Sequence, residues 1–178
     1  MKKDQPAVNL PDLTAGNEQL LHGLLSDSSV LRQAAQREFV RRAKDMPTAS
    51  DIGSLLSVVE NQENLHPTIA QRVATLYTAA QIKHKISPAG PAAPLDLLQK
   101  PDLVEFVLRA LADYADKPEE VPSDIFIPWL TDKNPRNREA AVIALRRLHK
   151  ADAAQAFCPS SPMKIPSSRI SLFAPCAN

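Results

Sequence analysis

A polar turn followed by an alanine-rich helical stripe occurs twice in this chain in one register, and that recurrence limits the possible folds more than any other feature. Arg32-Gln33-Ala34-Ala35 follows the turn Ser26-Asp27-Ser28-Ser29, and Arg138-Glu139-Ala140-Ala141 follows Asp132-Lys133-Asn134-Pro135. Self-similarity at a period of about 30–47 residues denotes stacked helix pairs, because one pair alone cannot bury its apolar face.

Four stretches follow this design. In the clearest, the spacing of Ile125, Phe126, Trp129 and Leu130 predicts a first helix over Ser123–Thr131 with Ser123 as N-cap. Pro135 then starts a second helix at its first position, with Asn134 as the cap. Ala140, Ala141, Ala144, Leu145 and Leu148 form its apolar stripe. At Glu18–Arg42, Leu20, Leu21, Leu24 and Leu25 make a first helix, and Val30, Leu31, Ala34, Ala35, Phe39 and Val40 line a second. Asp51–Ile82 sets Ile52, Leu55, Leu56 and Val59 against Ile69, Val73, Leu76, Ala79 and Ala80, across a polar turn at Glu60–His66. Pro94–Tyr114 supplies Leu95, Leu97 and Leu98, a turn at Lys100-Pro101-Asp102, and the helix LVEFVLRALADY. Aligning the second helices at Arg32, Arg72, Val104 and Arg138 gives spacings of 40, 32 and 34 residues, with Lys83–Ala93 the longest irregular stretch.

Residue usage agrees with an all-helical reading. Four glycines and 4% aromatic residues leave little material for a sheet with tight hairpins. Most of the 16 prolines fall between the patterned stretches or at their starts, where a missing N–H is harmless. Net charge is +1, and residues 1–150 hold 19 basic and 19 acidic side chains. A chain that grips a phosphate backbone shows a basic face or a raised net charge instead. Lys2 and Lys3 are not followed by an apolar signal segment. No apolar run approaches the roughly 18 residues of a membrane span, so the expectation is a cytoplasmic chain as written.

With turns and stripes in place, DSSVLRQAAQ and DKNPRNREAAVIAL resemble HEAT repeats, whose usual form is D-x-x-P/V-x-V-R-x-x-A-x-x-A-L. Asn137 stands where that pattern has Val, and Gln36 where an apolar residue is common. The resemblance covers about residues 17–150. It implies an all-α fold, a right-handed α-α superhelix (HEAT/armadillo-like solenoid) of about four helix pairs. More narrowly, LVEFVLRALADYADK followed by such a unit is similar to the HEAT segment of large bacterial membrane-associated dehydrogenase-like proteins. In those, a propeller domain similar to sorbosone or glucose dehydrogenases precedes the segment and a c-type cytochrome domain follows it. That resemblance implies a segment of a larger redox protein with an extracytoplasmic, periplasmic parent. None of that family's catalytic or haem-binding motifs is present, so no catalytic residue carries over.

After Ala156 the composition changes: CPSSPMKIPSSRISLFAPCAN holds five Ser, four Pro and two Cys without a helical period. Read one base earlier, the boundary of Phe157 and Cys158 forces a leucine codon. The shifted frame then sets against Ile127–Arg147 over 21 positions without a gap, and eleven of them allow identity. The expectation is a frameshifted repeat at the end of a fragment from a longer array, leaving the last helix pair with a face meant for a next repeat. The expected organisation is an N-terminal extension at 1–16, a HEAT-repeat domain at 17–156 and an irregular tail at 157–178.

Candidate chemistry is sparse. His22, His66, His84 and His149 are scattered, and a metal or acid–base site needs convergence with a carboxylate or a second histidine. Cys158 and Cys176 give neither CxxC nor the haem-attachment spacing. Asp132 with Asn134 is what a helix-capping turn requires, ahead of cation binding. The basic runs Arg37, Arg41, Arg42, Lys44 and Arg146, Arg147, His149, Lys150 lie near helix C-termini, where cations complement the dipole. Phe126 and Trp129 read as inter-helix packing. No catalytic, cofactor-binding or metal residue is assigned.

The expected function is therefore a non-catalytic scaffold for a protein partner or a neighbouring domain of a longer parent, with no small-molecule substrate evident. The alternative is a nucleic-acid-binding HEAT-like module, as in helical-repeat DNA glycosylases, which requires basic residues converging on the concave face. A third reading, assistance of bilin chemistry as in HEAT-like lyases, finds no specific residues.

Overall fold

The computed structural model describes residues 16–43, 55–58, 60, 66–86 and 93–153, and among them every regular element is helical. The extension up to residue 15, the residues from 154 onward and therefore the whole tail 157–178 lie outside the described residues.

The first pair follows the sequence pattern closely. α1 (Asn17–Leu24) carries Glu18 in its first turn, where a carboxylate meets the positive helix end, and buries Leu20, Gly23 and Leu24. α2 (Ser29–Arg42) starts at Ser28, whose hydroxyl accepts from Leu31 N at 3.4 Å. Ala35 and Phe39 are its buried residues. Val30 departs from the expected lining and is 69% exposed. Its Cβ tilts toward the helix N-terminus, so in the first turn the side chain points off the end of the helix. Ile69 at 45% and Leu95 at 42% exposure occupy the same first-turn position in their elements.

Of the second unit's first helix, 55–58 is described; Leu55 and Val58 are buried, while Ile52 and Val59 lie outside the described residues. α3 (Ile69–Ile86) opens with a reciprocal cap. Gln71 Oε1 accepts from Thr68 N at 2.7 Å, and Thr68 Oγ1 accepts from Gln71 N at 3.4 Å. The helix runs through Lys83–Ile86, which corrects the expectation of an irregular stretch from Lys83; residues 87–92 lie outside the described residues. Ile82 is buried and Ile86 packs beside it four residues on, which carries the apolar stripe one more turn.

The last two units correct a second expectation. Leu95–Gln99 is a 3-10 segment after Pro94, and the predicted helix Ser123–Thr131 is two 3-10 turns, Ser123–Ile125 and Ile127–Thr131. Ser123 is not an α-helical N-cap; its carbonyl accepts from Phe126 N at 2.9 Å, and Phe126 O accepts from Trp129 N at 3.0 Å. Pro128 explains the break: it has no N–H for an α-type bond, and its ring crowds the carbonyl of Asp124 four residues back. The apolar residues still reach the core, with Phe126 buried and Ile125, Trp129 and Leu130 packed against it.

α4 (Val104–Asp113) buries Val104, Val107, Leu108, Ala110 and Leu111. α5 (Pro135–Arg147) has Pro135 in its first turn and Asn134 as cap, its Oδ1 accepting from Arg136 N at 3.0 Å. The expected stripe Ala140, Ala141, Ala144, Leu145 and Leu148 is buried. α5 ends in a Schellman turn: Lys150 N donates to Leu145 O at 3.0 Å and His149 N to Arg146 O at 3.2 Å. His149 takes the left-handed position there, at φ 53°.

Packing joins neighbours in chain order. α2 lies against α1 and α3, α3 against α4, and α4 against α5; Leu95–Gln99 covers α4 and Ile127–Thr131 covers α5. Two hydrophobic clusters result. One holds Leu20, Leu24, Ala35, Phe39, Ala43 and Leu55; the other holds Leu103, Val104, Val107, Leu108, Leu111, Phe126 and the α5 stripe. α3 belongs to both, sending Ala79 and Ile82 to the first and Leu76 and Ala80 to the second.

Candidate interaction face

The helix-start turns are built alike in the first and last units. Arg32 Nη1 donates to Ser26 O at 2.7 Å and Asp27 O at 2.8 Å. Arg138 Nη1 donates to Asp132 O at 2.8 Å and Lys133 O at 3.2 Å. Each arginine thus reaches back to the carbonyls six and five residues before it. The residue six before each also holds the turn: Ser26 Oγ accepts from Ser28 N at 3.2 Å, and Asp132 Oδ1 accepts from Asn134 N at 2.8 Å. A guanidinium clamps turn carbonyls that the helix itself leaves unpaired, with charge-assisted bonds. Asp132 and Asn134 are engaged as caps, as the capping reading expects.

In the second and last units a buried amide stands at the position before the arginine, where the first unit has Leu31. Gln71, next to Arg72, is 8% exposed and its Nε2 donates to Leu25 O at 2.5 Å and Asp27 Oδ1 at 3.5 Å, tying α3 to the first unit's turn. Asn137, next to Arg138, is 4% exposed; its Nδ2 donates to Asp132 Oδ1 at 3.1 Å. The polar residue at the usual valine position therefore serves the turn of its own unit. Arg72 departs from its two counterparts by pairing with Asp102, at the start of the next unit's helix.

The second helices α3, α4 and α5 together present a polar and aromatic face. Tyr77 and Tyr114 meet edge to face with ring centroids 6.2 Å apart at 73°. His84 lies 6.2 Å from the Tyr114 ring, and Gln81 Nε2 donates to Tyr114 Oη at 2.6 Å. Burial pushes the Tyr77 phenol above its ordinary pKa, while the nearby Arg109 and Arg147 charges pull the other way. Arg147 of α5 pairs with Asp113 of α4. The face carries charges of both signs.

Arg41, Arg42, Arg147 and Lys150 of the two basic runs are paired within the fold. Arg41 and Arg42 bind Glu38, at 2.7 Å and 2.5 Å, and hold its carboxyl down at about 2. Lys85 Nζ of α3 donates to Val40 O at 2.6 Å, closing the C-terminal end of α2 from the neighbouring helix. Lys150 Nζ donates to Glu119 O at 3.0 Å. Lys44 lies outside the described residues.

The four histidines stay apart, as their spacing suggests. His22 is exposed in the last turn of α1, His66 and His149 occupy left-handed turn positions, and His84 joins the tyrosine pair. Among the described residues no group of three or more His, Cys, Asp or Glu side chains could hold a metal, and no helix is long and apolar enough to cross a membrane. Cys158 and Cys176 lie outside the described residues.

No protein-family model, curated protein or solved structure matches this chain. The face must therefore be read from its own residues. The sequence pattern passes over Tyr77, Gln81 and His84, although they recur at i, i+4 and i+7 on α3, which places them on one side of that helix. The two tyrosines are also the only ones in the chain, and the fold puts them together.

Proposed function

We propose that this chain is a non-catalytic helical-repeat scaffold of HEAT type. About four helix pairs are stacked as a right-handed α-α superhelix, and the side formed by α3, α4 and α5 receives a protein partner. What supports the repeat reading is the twin turn geometry of Arg32 and Arg138, together with packing between successive second helices. The observation that carries the choice of partner is the sign pattern of the α3–α5 face. Arg147, paired with Asp113, and Glu105 both act on the Tyr77 hydroxyl, and Tyr77 meets Tyr114 edge to face. Mixed, paired charge around aromatic residues suits a protein surface, where tyrosine and arginine are enriched at interface centres. A polyanion instead needs a run of cations free to neutralise successive phosphates.

The partner is a separate protein or a neighbouring domain of a longer parent. The redox-protein context rests on the resemblance of the segment from Leu103 to Lys117.

Fluorescence anisotropy with labelled single- and double-stranded 20-mers, from about 50 to 200 mM salt, tests the choice. The scaffold reading expects no binding below about 100 μM protein. Micromolar or tighter binding that falls steeply with salt would contradict it.

A further inference from the structure

Arg109 stands apart from the other cations of the α3–α5 face. It is partly buried, its Nε is shut off from solvent without a hydrogen-bond partner, and it makes no hydrogen bond or ion pair with any described residue. Arg147 has Asp113, and Arg72 has Asp102. Arg109 instead lies where its charge acts on the Tyr77 hydroxyl, with Arg147 and Glu105 also within reach of that hydroxyl. A guanidinium stays charged under all ordinary conditions, so a half-buried one without a counter-ion costs free energy until an anion pairs with its accessible end.

We propose that Arg109, with the Tyr77 hydroxyl beside it, receives a single carboxylate from a partner polypeptide: a glutamate or aspartate in a segment that also carries a basic residue. A carboxylate matches the guanidinium fork with two parallel bonds. Tyr77 remains protonated through neutral pH and so offers an O–H to the same oxygens. The tyrosine rings frame the site edge to face and give the partner's neighbouring apolar side chain a surface. Charge complementarity decides the occupant. Glu105 and Asp113 flank the unpaired cation, so a string of negative charges is repelled beyond its first member, whereas a lysine next to the partner's carboxylate finds a carboxylate here. The inference rests on the scaffold reading and adds to it the chemistry of the bound segment.

The test uses the full chain and two synthetic peptides capped at both ends, Ala-Leu-Glu-Leu-Lys-Ala and its counterpart with Gln for Glu. Binding is followed by NMR at the Arg109 Nε–H and the Tyr77 and Tyr114 rings. The Glu peptide is expected to move these resonances and to bind about fivefold or more tightly than the Gln peptide, as a charge-assisted bidentate pair requires. In Arg109→Gln the ratio is expected to fall to about one, and in Tyr77→Phe to drop about twofold. The Arg109 resonance of the unmutated chain provides a readout that does not depend on either variant folding. Equal binding of the two peptides, no shift at Arg109, or a preference that survives in a folded Arg109→Gln would each overturn the inference. Those outcomes leave the scaffold reading standing, because that reading falls by salt-dependent oligonucleotide binding.

Discussion

The two hydrophobic clusters differ in how they are closed. Among the described residues, eight are buried around α1 and α2, and two of them, Ala79 and Ile82, come from α3. Around α4 and α5, seventeen are fully buried, including Phe126 and the five-residue stripe of α5. In the first region polar bonds carry more of the connection: Gln71 to Leu25 O, and Lys85 to Val40 O, both across from α3. α3 joins the two regions: it sends Leu76 and Ala80 to one core, and Ala79, Ile82 and the polar ties of Gln71 and Lys85 to the other.

The largest expected effect tests the core difference directly. Phe126→Ala, at a side chain with no exposed surface, is expected to lower the unfolding free energy by about 3–5 kcal/mol in urea titration. Leu24→Ala in the first cluster is expected to lower it by about 2–3 kcal/mol, since a leucine side chain removes less apolar surface than a phenylalanine. A Leu24 effect equal to that of Phe126 would remove the distinction between the regions.

Gln71→Ala is expected to follow. It removes half of the α3 cap and leaves Leu25 O without its donor, for a loss of about 1–3 kcal/mol. Faster amide exchange should appear in α1 and α2 and leave α5 unchanged. If the exchange rates of α5 rise equally, Gln71 supports the whole stack and is not a tie between units.

Arg32→Ala and Arg138→Ala sharpen the comparison from the other side, because here the two regions are built alike. Each is expected to cost about 1 kcal/mol, and the double variant the sum, since the sites share no partner. Unequal losses, or a clearly non-additive double variant in denaturant titrations, would show that the shared geometry does not carry shared energetics.

The smallest effect is electrostatic and confined to α2. Glu38 has its carboxyl held at about 2 by Arg41 and Arg42, below the ordinary 4.5. A depressed folded value means the contribution is present above about 4.5 and is lost as pH falls toward about 2. The pair sits at the surface, so solvent screens it. Glu38→Gln should flatten the pH dependence of the melting temperature over that window, with its small loss at pH 7 and none at the acid end; an unaltered slope would exclude the pairing in solution.

Much of this fold is legible in the sequence, and the misses have physical causes. The α5 stripe, the Asn134 cap and the Arg32–Arg138 register are local patterns of period and turn chemistry, and those read directly. The first helix of the last unit does not, because its apolar spacing is helical while Pro128 forbids the bonds an α-helix needs. Val30 has the right residue type, but a first-turn side chain points past the neighbours it was expected to meet. The Thr68–Gln71 box is a sequence signal of a helix start, yet the bond from Gln71 to Leu25 O, 46 residues away, exists only in three dimensions. The face of Tyr77, Tyr114, Arg109 and Arg147 is of that second kind. Its members come from three helices, and only packing of α3 on α4 and α4 on α5 assembles them.

Native-state hydrogen exchange across α1 to α5 measures the central claim, that successive helix pairs are coupled through their neighbours with α3 between a weak and a strong region. The account predicts that α1 and α2 exchange through a sub-global opening of lower free energy, α4 and α5 at the global limit, and α3 between them. A single exchange limit shared by all five helices at every denaturant concentration would contradict it.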